Sequence, residues 1–189
     1  MKYSVRTITH EYSPSEVARV SGVSTSLQRD WRRRGVIQGR ADGWNKYDLA
    51  DVIRMTVMRA FTQSGISLET AESVSSLAVL PVMDELVRWD DVAVFTGDQL
   101  SAEQMERIRA SHVRGASGDE QFTFVALPED AEEGASAARL RNLADGERIM
   151  GMSGNFYGIA LAHDLLAHRI AELSPLPIIR FEVEVKDDG

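Results

Sequence analysis

The turn Gly22-Val23-Ser24 and the arginine-rich segment after it constrain this chain more than any other stretch. Ser13 precedes Pro14 and stands three residues before Glu16. That spacing is a capping box with proline at the first helical position, so a helix starts here. Val17, Ala18 and Val20 supply its apolar side. Ser21-Gly22-Val23 then ends it, because glycine reaches backbone angles its neighbours avoid, and Val23 can plug the corner between two helices. Ser24 is a second N-cap, and no glycine or proline follows until Gly35, a C-cap residue with Val36 at hand for the accompanying apolar contact. Within this second helix Leu27 and Trp31 lie four apart and face the core, which leaves Ser26, Gln28, Arg29, Arg32 and Arg33 for solvent. Those side chains offer donors suited to base edges and phosphates.

Residues 35–47 read as a small hairpin, with Val36-Ile37-Gln38 on one arm, Ala41-Asp42-Gly43 as its turn and Trp44-Asn45-Lys46-Tyr47 on the other. Arg40 and Lys46 flank the tip, so the hairpin can act as a wing on the sugar-phosphate backbone. Trp31 and Trp44 stand at apolar positions of the pattern and are assigned to packing rather than to base stacking. Asp48, with Asp51 three residues on, begins a third helix through Leu49, Val52, Ile53, Val57, Met58 and Phe61, ending near Ser64-Gly65. Ser67 caps the next.

This order of helix, Gly-Val-Ser turn, helix ending Trp-x-x-x-Gly-Val-Ile, wing ending Gly-Trp-Asn-Lys-Tyr, Asp-Leu helix and Gly-Ile-Ser-Leu-Glu resembles the N-terminal domain of MerR-type transcriptional regulators over residues 13–72. The resemblance implies a second helix docked in the major groove, a wing on the backbone, and a dimer on an inverted repeat. Carried over by position, Ser24, Ser26 and Arg29 fall on recognition-helix contacts, Arg33 on the basic position near the helix end, and Arg40 and Lys46 on the wing. The chain departs from the family pattern at Gln28, at Asp30-Trp31 and at Arg32. Similar small winged domains also occur in phage excisionases and small terminase subunits.

The formal net charge of -8 divides unevenly: residues 1–65 hold 11 Lys and Arg against 6 Asp and Glu, and the remainder holds 10 against 23. A basic N-terminal module attracts phosphates, while an acidic remainder is repelled from them and turned away. The absence of cysteine excludes disulfides, thiolate zinc sites and thiol redox sensing. No apolar run reaches membrane-spanning length and no signal-peptide pattern opens the chain, so a cytoplasmic protein without membrane association is expected.

Beyond Leu68 a helical pattern continues to residue 88, interrupted at Pro81, without the sustained heptads of a long coiled coil. The remainder alternates: strand at 92–96, helix from Ser101 through Met105 and Ile108, strand at 122–127, helix at 135–143, strand at 148–150, helix at 156–173 with Leu161, Leu165, Ile170 and Leu173 inward, and a final strand through Ile179, Phe181, Val183 and Val185. Gly151-Met152-Ser153-Gly154-Asn155 reads as a turn and cap before a helix rather than as an anion cradle, since it lacks the phosphate-loop lysine. His163 and His168, five apart, do not share a face well enough for a metal pair. Ser153 lacks the complete Gly-x-Ser-x-Gly elbow, so no enzyme, metal or cofactor is expected.

The expected architecture is α+β: a winged helix-turn-helix at 1–75, a helical connector at 76–90, and a separate acidic, mixed α/β domain at 91–189 for dimerisation or effector binding. The expected function is sequence-specific binding of double-stranded DNA as a homodimeric regulator, through Ser24, Thr25, Ser26, Gln28, Arg29, Arg32, Arg33, Arg40 and Lys46, with RNA polymerase or a small-molecule effector as further partners. Two alternatives stay open: a phage DNA-packaging or excisionase-like accessory that marks a DNA site, and an effector sensor centred on the second domain.

Overall fold

The computed structural model describes residues 2–38, 46–112, 119–127, 135–153 and 157–186. The chain opens with a strand, β1 (Lys2–Thr9), followed by helices α1 (Pro14–Ser21), α2 (Thr25–Arg33), α3 (Leu49–Gln63) and α4 (Leu68–Ser75). A 3-10 turn, Ser76–Ala78, leads into α5 (Val79–Val87). Strand β2 (Ala93–Gly97), helix α6 (Ala102–His112), strands β3 (Phe122–Leu127) and β4 (Ser136–Leu140), helix α7 (Leu143–Ser153), strand β5 (Tyr157–Ala162), helix α8 (His163–Leu173) and strand β6 (Ile179–Lys186) complete it.

Among the described residues, two three-stranded sheets form. One has the order β1-β6-β2, with β1 antiparallel and β2 parallel to β6; the other has the order β4-β3-β5. The central β6 is built as its alternation dictates: Ile179, Phe181 and Val183 are buried, while Arg180 and Glu184 are exposed. Because β1 pairs with β6 from Lys2↔Lys186 to Thr9↔Ile179, the segment just before the helix-turn-helix is anchored in the sheet of the chain's last strand. One buried cluster runs from Tyr12, Trp31 and Phe61 through Leu86 to Ile170 and Phe181.

Several local expectations are corrected. Residues 135–143, alanine-rich and read as helix, contain strand β4, whose ladder with β3 outweighs intrinsic propensity. Residues 148–150 lie inside α7 rather than in a strand. The helix expected at 156–173 is divided into β5 and α8. Gly158 accounts for the division, since a Cβ there would lie 2.3 Å from Phe124 Cζ, so the bare backbone approaches the Phe124 ring on β3. Ser153 ends α7 instead of preceding a helix, which removes the helix start that an anion cradle would have needed. Pro81 does not break the pattern either; it occupies the first turn of α5, where its missing N–H costs nothing. Leu165, expected inward, is 67% exposed, and Leu166 takes the buried place. The hairpin turn at 39–45, with Arg40 and Trp44, lies outside the described residues.

Among the described residues, no helix is long and apolar enough to cross a membrane.

Candidate nucleic-acid interface

The helix-turn-helix assembles from its caps. Ser13 Oγ accepts from Glu16 N at 3.3 Å and Glu16 Oε2 accepts from Ser13 N at 2.7 Å, the reciprocal pair expected of a capping box. The carboxylate of Glu16 is held below its ordinary range, chiefly by that backbone N–H. Helix α1 closes at Gly22, whose φ of 73° is left-handed and whose N–H donates to Ala18 O at 3.1 Å. Val23 is fully buried in the corner, and Ser24 Oγ caps α2 by accepting from Leu27 N at 3.3 Å. At the far end Gly35 takes φ 76° and Val36 N donates back to Trp31 O at 2.9 Å, so α2 is bounded where its sequence signals stand.

At 100° per residue, Thr25, Ser26, Arg29, Arg32 and Arg33 occupy an arc of about 120° around α2. Thr25, Ser26, Arg29 and Arg33 are exposed, as is Ser24 at the cap. The Arg29 side chain makes no hydrogen bond or ion pair among the described residues. Arg33, with a side chain 81% exposed, pairs with Asp30 at 2.6 Å, an i,i+3 contact of small energetic weight. Arg32 is different. It is half-buried, donates to Tyr47 Oη, and lies 5.8 Å from the centre of the Tyr47 ring. Arg32 therefore ties Tyr47 to α2. The three arginines at the α2 C-terminus, Arg32, Arg33 and Arg34, also sit where the helix dipole favours cations.

Gln28 is corrected from the solvent face to the interior: it is 1% exposed, and its Nε2 donates to Pro14 O at 2.9 Å and to Val23 O at 2.8 Å. One amide thus ties the start of α1 and the turn to α2. A polar residue beside Trp31 gave no sequence sign of burial, because the acceptors come from backbone rather than from side chains.

Tyr47 and Tyr12 form a two-way bridge, Tyr12 N to Tyr47 O at 2.8 Å and Tyr47 N to Tyr12 O at 2.9 Å. This bridge holds Tyr47 against the segment between β1 and α1. Lys46 is exposed at that closure and pairs with Glu11 at 2.8 Å. Tyr12, missed by sequence reading, is fully buried, and its hydroxyl donates to Ser174 Oγ at 3.1 Å. Burial pushes its phenol up.

The histidines of α8 are structural. His163 is buried between Glu120 O, 2.8 Å from Nδ1, and Thr123 Oγ1, 2.9 Å from Nε2, and His168 packs on Trp89 with ring centres 4.5 Å apart.

Residues 12–76 match the family described as MerR HTH family regulatory protein, over the span that holds α1 to α4. No curated protein matches the chain. By the geometry of its turn and by this match, the N-terminal part of the chain is a MerR-type helix-turn-helix, a DNA-binding module of transcriptional regulation.

Proposed function

We propose that the protein is a sequence-specific regulator that places α2 in the major groove of double-stranded DNA and acts as a homodimer on an inverted repeat. The observation that carries this reading is the exposed face of α2: Ser24, Thr25, Ser26, Arg29 and Arg33 present hydroxyl and guanidinium donors, with Arg29 unpaired among the described residues. Arg29 is positioned for a base edge, where a bidentate contact to guanine contributes about 1–3 kcal/mol of discrimination. Lys46 and Arg40 serve as phosphate contacts of the wing, and Arg32 acts indirectly by holding Tyr47. The basic balance of residues 1–65 supports the same orientation, with the acidic remainder away from the duplex.

The test is titration of a selected site by fluorescence anisotropy with wild type, Arg29→Ala and, as a control remote from α2, Arg107→Ala. Arg29→Ala should lose about tenfold or more in affinity for the selected site and less on random DNA. Equal affinities of Arg29→Ala and wild type for that site would refute the assignment.

A further inference from the structure

A groove of about 700 Å³ runs between the helix-turn-helix and the second half of the chain. One wall is the end of α1, Ser21 and Gly22, with α3; the other comes from β5, α8, Phe122 and Leu143. Its volume lies in the range of small-molecule sites, and its surface is mostly apolar, through Phe122, Leu161 and Leu166. Leu143 and Leu165 also line it, 56% and 67% exposed.

The charges on this groove are of one sign. Arg59 and Arg169 line it and, among the described residues, no aspartate or glutamate does, in a chain whose formal net charge is -8. Both flank the turn glycine: a Cβ at Gly22 would lie 3.9 Å from Arg169 Nη2 and 3.9 Å from Arg59 Cγ. Arg169 is held in place by its Nε, which donates to Val20 O at 3.1 Å, leaving the terminal nitrogens of its guanidinium to the groove. Neither arginine forms an ion pair among the described residues. Two guanidiniums over an apolar bed, without carboxylates, fit an anionic head joined to a hydrophobic body.

We infer that this groove binds an amphipathic organic acid, its carboxylate between Arg59 and Arg169 and its apolar body against Phe122, Leu161 and Leu166. The wall formed by Ser21 and Gly22 is the turn of the helix-turn-helix itself. An occupant bridging that turn to α8 therefore biases how α1 and α2 are presented. This regulatory consequence rests on the proposed role of α2 in DNA binding, whereas ligand binding does not.

The test uses full-length protein without DNA, titrated calorimetrically with decanoate and with decanol, in wild type and in Arg59→Gln. The Arg59 side chain makes no hydrogen bond or ion pair among the described residues, and its backbone carbonyl, which accepts from Thr62 Oγ1, is untouched by the substitution, so this variant should retain the wild-type circular dichroism and unfolding midpoint. Saturable decanoate binding, about tenfold tighter than decanol in wild type and reduced to the decanol level in Arg59→Gln, is the expected result. No saturable decanoate binding, equal affinity for the neutral alcohol, or an unchanged preference in Arg59→Gln overturns the site. A dimer that excludes decanoate and dissociates in Leu165→Glu would assign the groove to a second copy of the chain, which also overturns it. Added to a DNA titration, saturating decanoate should shift affinity about fivefold or more. Decanoate binding with no such shift removes the regulatory consequence alone, and failure to bind any DNA counts against the role of α2 rather than against the groove.

Discussion

Replacing Gln28 with leucine removes two hydrogen bonds from the junction of α1 and α2 while keeping the side chain close in volume. The amide donates at 2.9 Å to Pro14 O and at 2.8 Å to Val23 O in a position 1% exposed. Each buried bond contributes about 1 kcal/mol net, and a buried acceptor left without a donor costs about 1–3 kcal/mol. Against this, Gln28 Oε1 has no partner and is itself a buried cost that leucine abolishes. The balance is a destabilisation of about 1–3 kcal/mol, which in a chain of this size lowers the thermal midpoint by roughly 3–10 °C. Gln28→Glu should fall further, because a carboxylate cannot donate to either carbonyl and would be buried against them. Urea and thermal unfolding followed by circular dichroism measure both variants. If Gln28→Leu were within about 0.5 kcal/mol of wild type, the amide would not be the tie that holds the two helices, and the reasoning would fail.

Two further outcomes follow from the second half. Gly158→Ala should destabilise by about 1–3 kcal/mol, since its methyl would meet Phe124 Cζ at 2.3 Å and Val125 O at 2.9 Å; a variant as stable as wild type would show that β5 lies further from Phe124. Burial lowers the His163 imidazole below its ordinary value, and His112 is lowered in the same direction. The unfolded chain then takes up protons that the folded one refuses, so stability should fall as pH drops through about 6.5, the unfolded value. Unfolding midpoints between pH 8 and 5.5 should fall less steeply in His163→Gln, and parallel curves would contradict a neutral, buried His163.

The helix-turn-helix was legible because its signals are local. Ser13 and Glu16, Gly22, Ser24 and Gly35 each specify one cap by chemistry within four residues, and each cap forms as expected. Arg29 and Arg33 were placed outward by the same periodicity that placed Trp31 inward. What escaped was set by distant partners. Strand β1 has a plain composition and becomes a strand through β6, about 180 residues away along the chain. Gln28 is buried because two carbonyls from outside its helix meet it, and no residue near it in sequence announces them. The alanine-rich β4 and the β5-α8 junction read as helices for a related reason: alanine favours a helix unless a neighbouring strand offers a ladder. The groove between Gly22 and α8 joins residues such as Arg59 and Arg169 that only the tertiary fold brings together.

The role given to α2 is tested most directly by selecting genomic DNA fragments on the full-length protein at near-physiological salt, with wild type and Arg29→Ala read side by side by sequencing. Enrichment of inverted repeats whose half-sites lie about one helical turn or a multiple apart, present for wild type and lost or relaxed at one base position for Arg29→Ala, is the predicted result. The same fragments enriched by both proteins, or none enriched by wild type, would contradict the account and return the arginine face of α2 to a solvated surface.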